Sequence, residues 1–384
     1  MLSNAASPDV ATGADGNERL CLLPNGNAAF EALKTLIDEA AIDLRLLFYI
    51  FAADATGAAI RERLLAARAR GVAVTLVVDD FGSLDTPHRF FQPLIDAGCR
   101  FQLFQPRLFQ RYLLRNHQKL AIADSARAIV GSFNIADVNL SADPAIGWSD
   151  IGVLVEGAAA RRLSRYFDAL DLWTRTRRPR IRRLRRVIEA ANETRGSVRW
   201  VFGGPSMSQN HYARQVRDAL AGACAVDLIM AYFAPGPGVL AALRALARKG
   251  RLRLVAAGKT DVPLSRAAAW HTYRQLLKSG AEIYEYQPRP LHSKLIVADD
   301  VVFIGSGNFD VRSLFVNLEV MLRVERPDFV AEARRLFEAE RTQSLRVDLP
   351  QLQARRRWYK RLFWRLAYFL MVSVDSFLSL KFAR

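Results

Sequence analysis

The chain has 384 residues, 51% of them hydrophobic, and 55 basic against 38 acidic side chains give it a net charge of +17. That length admits two domains or two fused halves with a sizeable core, and a surface this basic implies a polyanionic partner, nucleic acid or an anionic membrane. The cysteines Cys21, Cys99 and Cys224 are odd in number and scattered, which excludes a disulfide framework or a cysteine metal site and fits a reducing compartment.

Residues 1–19 are small and polar, without a basic start or an apolar run, and read as a flexible tail, not a secretory signal. No stretch of 18 uninterrupted apolar residues follows, so no membrane span is expected. LCLLP reads as a strand and NAAFEALKTLIDEA as a capped amphipathic helix. IDLRLLFYIF is a buried strand, AAIRERLLAARARG a helix closed by Gly71, and VAVTLVVDDFG a further strand. FFQPLIDAGC leads to the strand RFQLFQP. Strands alternating with helices predict an α/β fold with a mixed, mostly parallel sheet. The second half repeats the order: AVDLIMAYFAPG answers IDLRLLFYIFAAD, and LKSGAEIYEYQP answers LIDAGCRFQLFQP, which reads as an internal duplication.

The constellation that organises the chain is NHQKLAIADSARAIVGSFN, residues 116–134. It places His117, Lys119 and Asp124 as H-x-K-x4-D, then Gly131, Ser132 and Asn134. LHSKLIVADDVVFIGSGN repeats it with His292, Lys294, Asp299, Gly305, Ser306 and Asn308. Residues two apart on an extended strand face the same side, so each His and Lys can address one ligand together. An imidazole, an ammonium and an amide from each half suit displacement at a phosphodiester. One His attacks phosphorus, the other protonates the leaving oxygen, and Lys119, Lys294, Asn134, Asn308, Ser132 and Ser306 hold phosphoryl oxygens. Asp124 and Asp299 complete the motifs, at positions that suit either catalysis or turn stabilisation. His88, His211 and His271 stand in no motif. A paired lysine is a poor metal ligand, so no metal and no cofactor are expected.

The paired motifs resemble those of the phospholipase D superfamily, in which two halves form one site across their interface. FYIFAADATG, VTLVVDDFGS, GKTDVPL and GSGNFDVRSLFVNLEV are similar to stretches of bacterial cardiolipin synthases without N-terminal transmembrane helices, and the resemblance covers roughly residues 20–345. It implies two pseudo-symmetric halves with one shared site. It also implies a histidine-orienting carboxylate after each Gly-Ser-x-Asn segment: Glu319 in the second half, and Asp150, after a longer insertion, in the first. The second motif is one residue shorter between its aspartate and glycine, so either Asp299 or Asp300 could fill the motif role. Leu47 stands where these synthases often carry a glutamate.

The implied activity is transfer of a phosphatidyl group between phosphatidylglycerol molecules through a phosphohistidine on His117, with release of glycerol. Hydrolysis to phosphatidic acid, cleavage of nucleic acid, and a non-enzymatic membrane scaffold are the alternatives. The expected organisation is a tail (1–19), a first half (20–160), a basic linker helix (161–196) facing lipid headgroups, a second half (197–345) and a basic-aromatic membrane-surface helix (346–384). The expected partners are phosphatidylglycerol and a membrane surface, with no nucleic acid, and the expected place is the cytoplasmic face of a bacterial inner membrane. No obligate protein partner is legible.

Overall fold

Apolar periodicity and capping set the local elements. Asn25 accepts from the Ala28 amide at 2.9 Å and Asp54 from the Gly57 amide at 2.8 Å, so the first two helices start where a side-chain oxygen satisfies a free amide. A computed structural model describes residues 11–12, 18–105, 114–141, 147–177, 180–206, 210–355 and 357–374. Most of the expected tail and the final ten residues lie outside them.

The first half runs β1 (Arg19–Leu23), α1 (Gly26–Asp38), β2 (Asp43–Phe48), α2 (Ala55–Ala69), β3 (Ala73–Asp79), β4 (Arg100–Phe104), β5 (Leu120–Ala123), β6 (Arg127–Gly131) and β7 (Gly152–Glu156). Two helices follow, α3 (Ala158–Thr174) and α4 (Ile181–Ala191). The second half begins β8 (Val198–Gly203), α5 (His211–Gly222), β9 (Ala225–Met230), α6 (Pro237–Lys249), β10 (Arg251–Ala257), α7 (Pro263–Lys278) and β11 (Glu282–Tyr286). It ends β12 (Lys294–Ala298), β13 (Val301–Gly305), β14 (Glu319–Val324), α8 (Pro327–Thr342), β15 (Ser344–Val347) and α9 (Trp358–Phe369).

One sheet has the order β1-β7-β6-β5-β2-β3-β4, with Ala11–Thr12 along its β1 edge. The other has the order β15-β11-β10-β9-β12-β13-β14-β8. The duplicated α/β architecture is therefore present, but the expected parallel majority is not. Each sheet has two parallel pairings and five antiparallel ones. Crossover helices separate strands only from β2 to β4 and from β9 to β11. The motif strands turn back as tight hairpins, which reverses direction locally.

One core crosses the molecule. Ile122, Val130 and Val153 of the first sheet and Val297, Ile304 and Val320 of the second share it with Leu163 and Phe167 of α3 and Phe329 and Phe337 of α8. The stretch expected to be a linker helix is thus two helices, and α3 is interior. The apolar residues interleaved with its arginines are its buried face. On the outer side, Arg162, Arg165, Arg180, Arg182, Arg183 and Arg186 line a surface cleft of about 1040 Å³ between α3 and α4.

Candidate active site

The motif histidines precede their strands instead of lying in them. Residues 115–117 pair with the other half: the His117 amide donates to the Leu318 carbonyl at 2.9 Å, and the Leu318 amide to the Arg115 carbonyl at 2.9 Å. The second half mirrors this, with the His292 amide on the Ser149 carbonyl and the Ser149 amide on the Pro290 carbonyl, both at 2.8 Å. Each histidine is therefore bonded through its backbone to the residue before the opposite half's carboxylate.

That pairing explains the site's main feature, which the sequence did not disclose. The acceptors are exchanged between halves. His117 Nδ1 lies 3.0 Å from Glu319 Oε2 and 3.1 Å from Oε1, and His292 Nδ1 lies 2.7 Å from Asp150 Oδ1. Asp150 and Glu319 hold equivalent places, two residues before Gly152 and Met321, which pair with Gly131 and Gly305. A carboxylate at Nδ1 holds the proton there and leaves Nε2 to the site. Lys119 Nζ donates to the His117 carbonyl at 2.6 Å and Lys294 Nζ to the His292 carbonyl at 2.5 Å, so His and Lys do share a side. Both lysine side chains are fully buried. Burial holds Lys294 down at about 8 and Lys119 well below the usual lysine range, against the pull of the Asp150 and Glu319 carboxylates, which favour the charged lysines.

Ser132 and Ser306 do not face a phosphate. Their hydroxyls donate to Asp150 Oδ1 and Glu319 Oε2, both at 2.5 Å, and accept from the Ile151 and Val320 amides, both at 3.0 Å. With that proton committed to a carboxylate, the expected phosphate-binding role is corrected to a positioning one. Asn139, unforeseen from the sequence, adds a bond to Asp150 Oδ2 at 2.7 Å. Asp150 thus gathers Ser132, Asn139 and His292. Burial opposes its charge, but His292, Lys294 and Ser132 outweigh burial and hold it below the usual carboxylate range. Burial dominates at Glu319 and pushes it up to about 7. Burial also lowers both imidazoles, His117 well below its usual range with the lysine charges adding; at His292 the Asp150 charge pulls the other way.

The Asn134 side-chain oxygen accepts from the Ile50 amide at 3.2 Å, while the Asn308 side-chain oxygen is buried without a hydrogen-bond partner among the described residues. Three aromatic rings were also missed: Tyr49 lies 5.1 Å from His117, Tyr232 6.1 Å and Trp148 5.4 Å from His292, centroid to centroid. Lys119 sits over Tyr49 and Lys294 over Tyr232. The duplicated tyrosines flanking the buried strand were the available signal.

Asp124 and Asp299 stand away from the reacting groups and are corrected from catalytic to structural. Each lies at the far end of its strand, in the left-handed region with φ 55° and 42°. Asp124 accepts from the amides of Ala41 at 3.0 Å, Ile42 at 2.7 Å and Asp43 at 2.9 Å; Asp299 accepts from Cys224 and Ala225, both at 2.8 Å. Each ties its hairpin to the start of a central strand. Despite the shorter turn, Asp299, not Asp300, is the counterpart of Asp124. Glycine is needed in the strand that follows: a Cβ on Gly305 would lie 2.2 Å from the Val320 carbonyl oxygen. Leu47 is a buried core residue. Among the described residues, no group of three His, Cys, Asp or Glu side chains is placed to hold a metal ion.

Two duplicated sheets that join a His-Lys pair from each half define a phospholipase D-like protein. The family described as "Cardiolipin synthase, PLD-like domain" matches residues 33–170 and 220–341. Cardiolipin synthase 1 of Bacillus anthracis is 30% identical over 352 residues, which cover 87% of this chain and 68% of that protein. Cardiolipin synthase B of Escherichia coli (strain K12) is 32% identical over 326 residues, 79% of this chain and 76% of that one. The chain belongs to the cardiolipin synthase family of phospholipase D-like enzymes. Its fold is also that of the phosphatidylserine synthase of Haemophilus influenzae Rd KW20, with a TM-score of 0.72 over 94% of this chain and 95% of that one at 14% identity.

Proposed function

We propose that this chain makes cardiolipin from two phosphatidylglycerol molecules through a phosphohistidine on His117. The observation that carries the reading is the pair of buried histidines, each with Nδ1 on a carboxylate of the other half and a lysine beside it. The phosphate sits between Lys119 and Lys294, with the amides of Asn134 and Asn308 supplying further donors. His117 Nε2 attacks phosphorus. The phosphorus–oxygen bond to the headgroup glycerol breaks, and that oxygen takes the Nε2 proton of the His292 imidazolium. His292, now neutral, takes the proton of a headgroup hydroxyl on a second phosphatidylglycerol. That oxygen attacks phosphorus, the nitrogen–phosphorus bond breaks, and cardiolipin leaves. The net change is two phosphatidylglycerols to one cardiolipin and one glycerol.

The unequal carboxylates support this division. At His292 the anionic Asp150 opposes the lowering by burial and so supports a proton there more than Glu319 does at His117, as the acid needs; a deeply buried His117 beside a carboxyl raised to about 7 stays neutral, as a nucleophile must. Such a substrate places the work at a bilayer surface, and we assign the protein to the cytoplasmic face of a bacterial inner membrane as a peripheral enzyme. No helix among the described residues is long and apolar enough to cross a membrane.

Mass spectrometry of products from phosphatidylglycerol vesicles, beside a His117→Ala variant, tests the reading. Cardiolipin and glycerol, absent in the variant, are expected. Phosphatidic acid alone would make the activity hydrolytic. The arginine-lined cleft favours one further reading, cleavage of nucleic acid; DNA breakdown without any lipid product would establish it.

A further inference from the structure

The described residues include thirteen exposed large apolar side chains, and seven of them lie between Trp358 and Leu370. Monomers seldom expose a contiguous patch of this kind without a use for it. The helix α9 has two apolar stripes. Residues turn by about 100° each along a helix, so Trp364, Ala367, Tyr368 and Met371 share one side. That side is docked: Trp364 lies 5.3 Å from Trp270 and Tyr368 4.8 Å from His271 of α7, ring to ring, and the Tyr368 hydroxyl donates to the Pro235 carbonyl at 2.9 Å. The opposite side carries Trp358, Leu362, Phe363, Leu366 and Phe369, exposed by 49–76%. A helix held only by its inner stripe needs no outer one, so the core does not account for these residues.

Charge selects the occupant. Arg357, Lys360, Arg361 and Arg365 are all exposed on this helix, and residues 349–374 contain no Asp or Glu. A second copy meeting this face would set like charges against each other, whereas an anionic bilayer meets both the rings and the cations. We propose that α9 is a docking face that inserts its outer stripe into an anionic phospholipid monolayer while its inner stripe fastens it to α7. The anionic partner follows from the lipid reading above; the apolar face stands on its own geometry. Tryptophan and tyrosine at the helix start suit the headgroup level, and Leu362, Phe363, Leu366 and Phe369 reach the acyl boundary.

The test compares the full chain with a Leu362→Ser, Phe363→Ser, Leu366→Ser, Phe369→Ser variant, in which every altered position is about half exposed or more. Sedimentation with phosphatidylglycerol vesicles and with phosphatidylcholine vesicles measures docking. Turnover of a short-chain phosphatidylglycerol below its micelle concentration measures chemistry. The expected result is about 100-fold weaker partitioning of the variant into phosphatidylglycerol vesicles, with its melting temperature and short-chain turnover unchanged. The parent should bind phosphatidylcholine vesicles far more weakly. Equal vesicle binding by parent and variant would overturn the docking face. A parental dimer that becomes monomeric in the variant, with vesicle binding intact, would give the face to a second copy instead. Vesicle binding lost in the variant while neither protein turns over lipid would uphold the docking face and sink the proposed reaction.

Discussion

The two halves present the same motif but not the same histidine. Asp150 is short, receives Ser132 and Asn139 besides His292, and is held below the usual carboxylate range. Glu319 receives Ser306 and His117, and burial pushes it up to about 7. Both carboxylates are fully buried, but at Asp150 the His292 charge, with Lys294 and Ser132, outweighs burial, and at Glu319 burial outweighs Lys119 and its hydroxyl donors. In the proposed reaction, duplication supplies two imidazoles to one phosphate. Reactions that need a neutral base and a charged acid at once require that symmetry to be broken, and here the supporting residues break it.

The division can be broken most sharply at the histidines. His117→Ala or His292→Ala should lower turnover by about 10⁴-fold or more, since each acts in both steps. Rapid quenching without acid, which spares the acid-labile nitrogen–phosphorus bond, followed by peptide mass spectrometry should find phosphatidyl on residue 117; an adduct on residue 292 alone would reverse the roles. The carboxylates come next. Asp150→Asn should cost about 10³-fold, more than Glu319→Gln, because an imidazolium loses its counter-charge in the first case only. The pH profile separates them. Activity should rise as pH rises through about 7, where the Glu319 carboxyl ionises, and Glu319→Gln should remove that limb. Asp150→Asn lowers the imidazole pKa of His292, so its alkaline limb should move to lower pH. A smaller loss, about fivefold, is expected for Ser132→Ala or Ser306→Ala, one hydrogen bond to a carboxylate each.

The motif aspartates should affect stability instead. Asp124→Ala removes bonds to three amides and Asp299→Ala bonds to two, so Asp124→Ala should lower the melting temperature more, by about 1–3 kcal/mol of stability, with turnover of the folded protein near parental. Burial would raise the Asp124 carboxyl, but its amide donors outweigh that and lower it. A group lowered on folding stabilises above its unfolded pKa and loses that contribution as pH falls through its folded value. The gap between parent and Asp124→Ala should therefore close in acid. Loss of catalysis in a folded Asp124→Ala protein would return this residue to the chemistry.

Local patterning determined much of this molecule. The alternation of strands and helices, the duplication, and the His, Lys and Asn positions were all legible, because each depends on near neighbours in the chain. Asp150 and Glu319 were legible as acceptors through resemblance alone. Sequence order does not say which histidine a carboxylate meets. That was decided by two backbone pairings between halves, Asn116 with Leu318 and Ser149 with Leu291, which carry each acid across the interface. The serines misled because a hydroxyl beside a presumed phosphate is instead turned onto a carboxylate of its own half, 18 or 13 residues away. The parallel majority failed because hairpin reversal is set by tight turns, not by the helix count. The rank of α3 as core and the two-sided character of α9 also needed the assembled fold. Amphipathic spacing specifies that a helix has an apolar face, and only packing decides which face the protein covers and which it leaves for a partner.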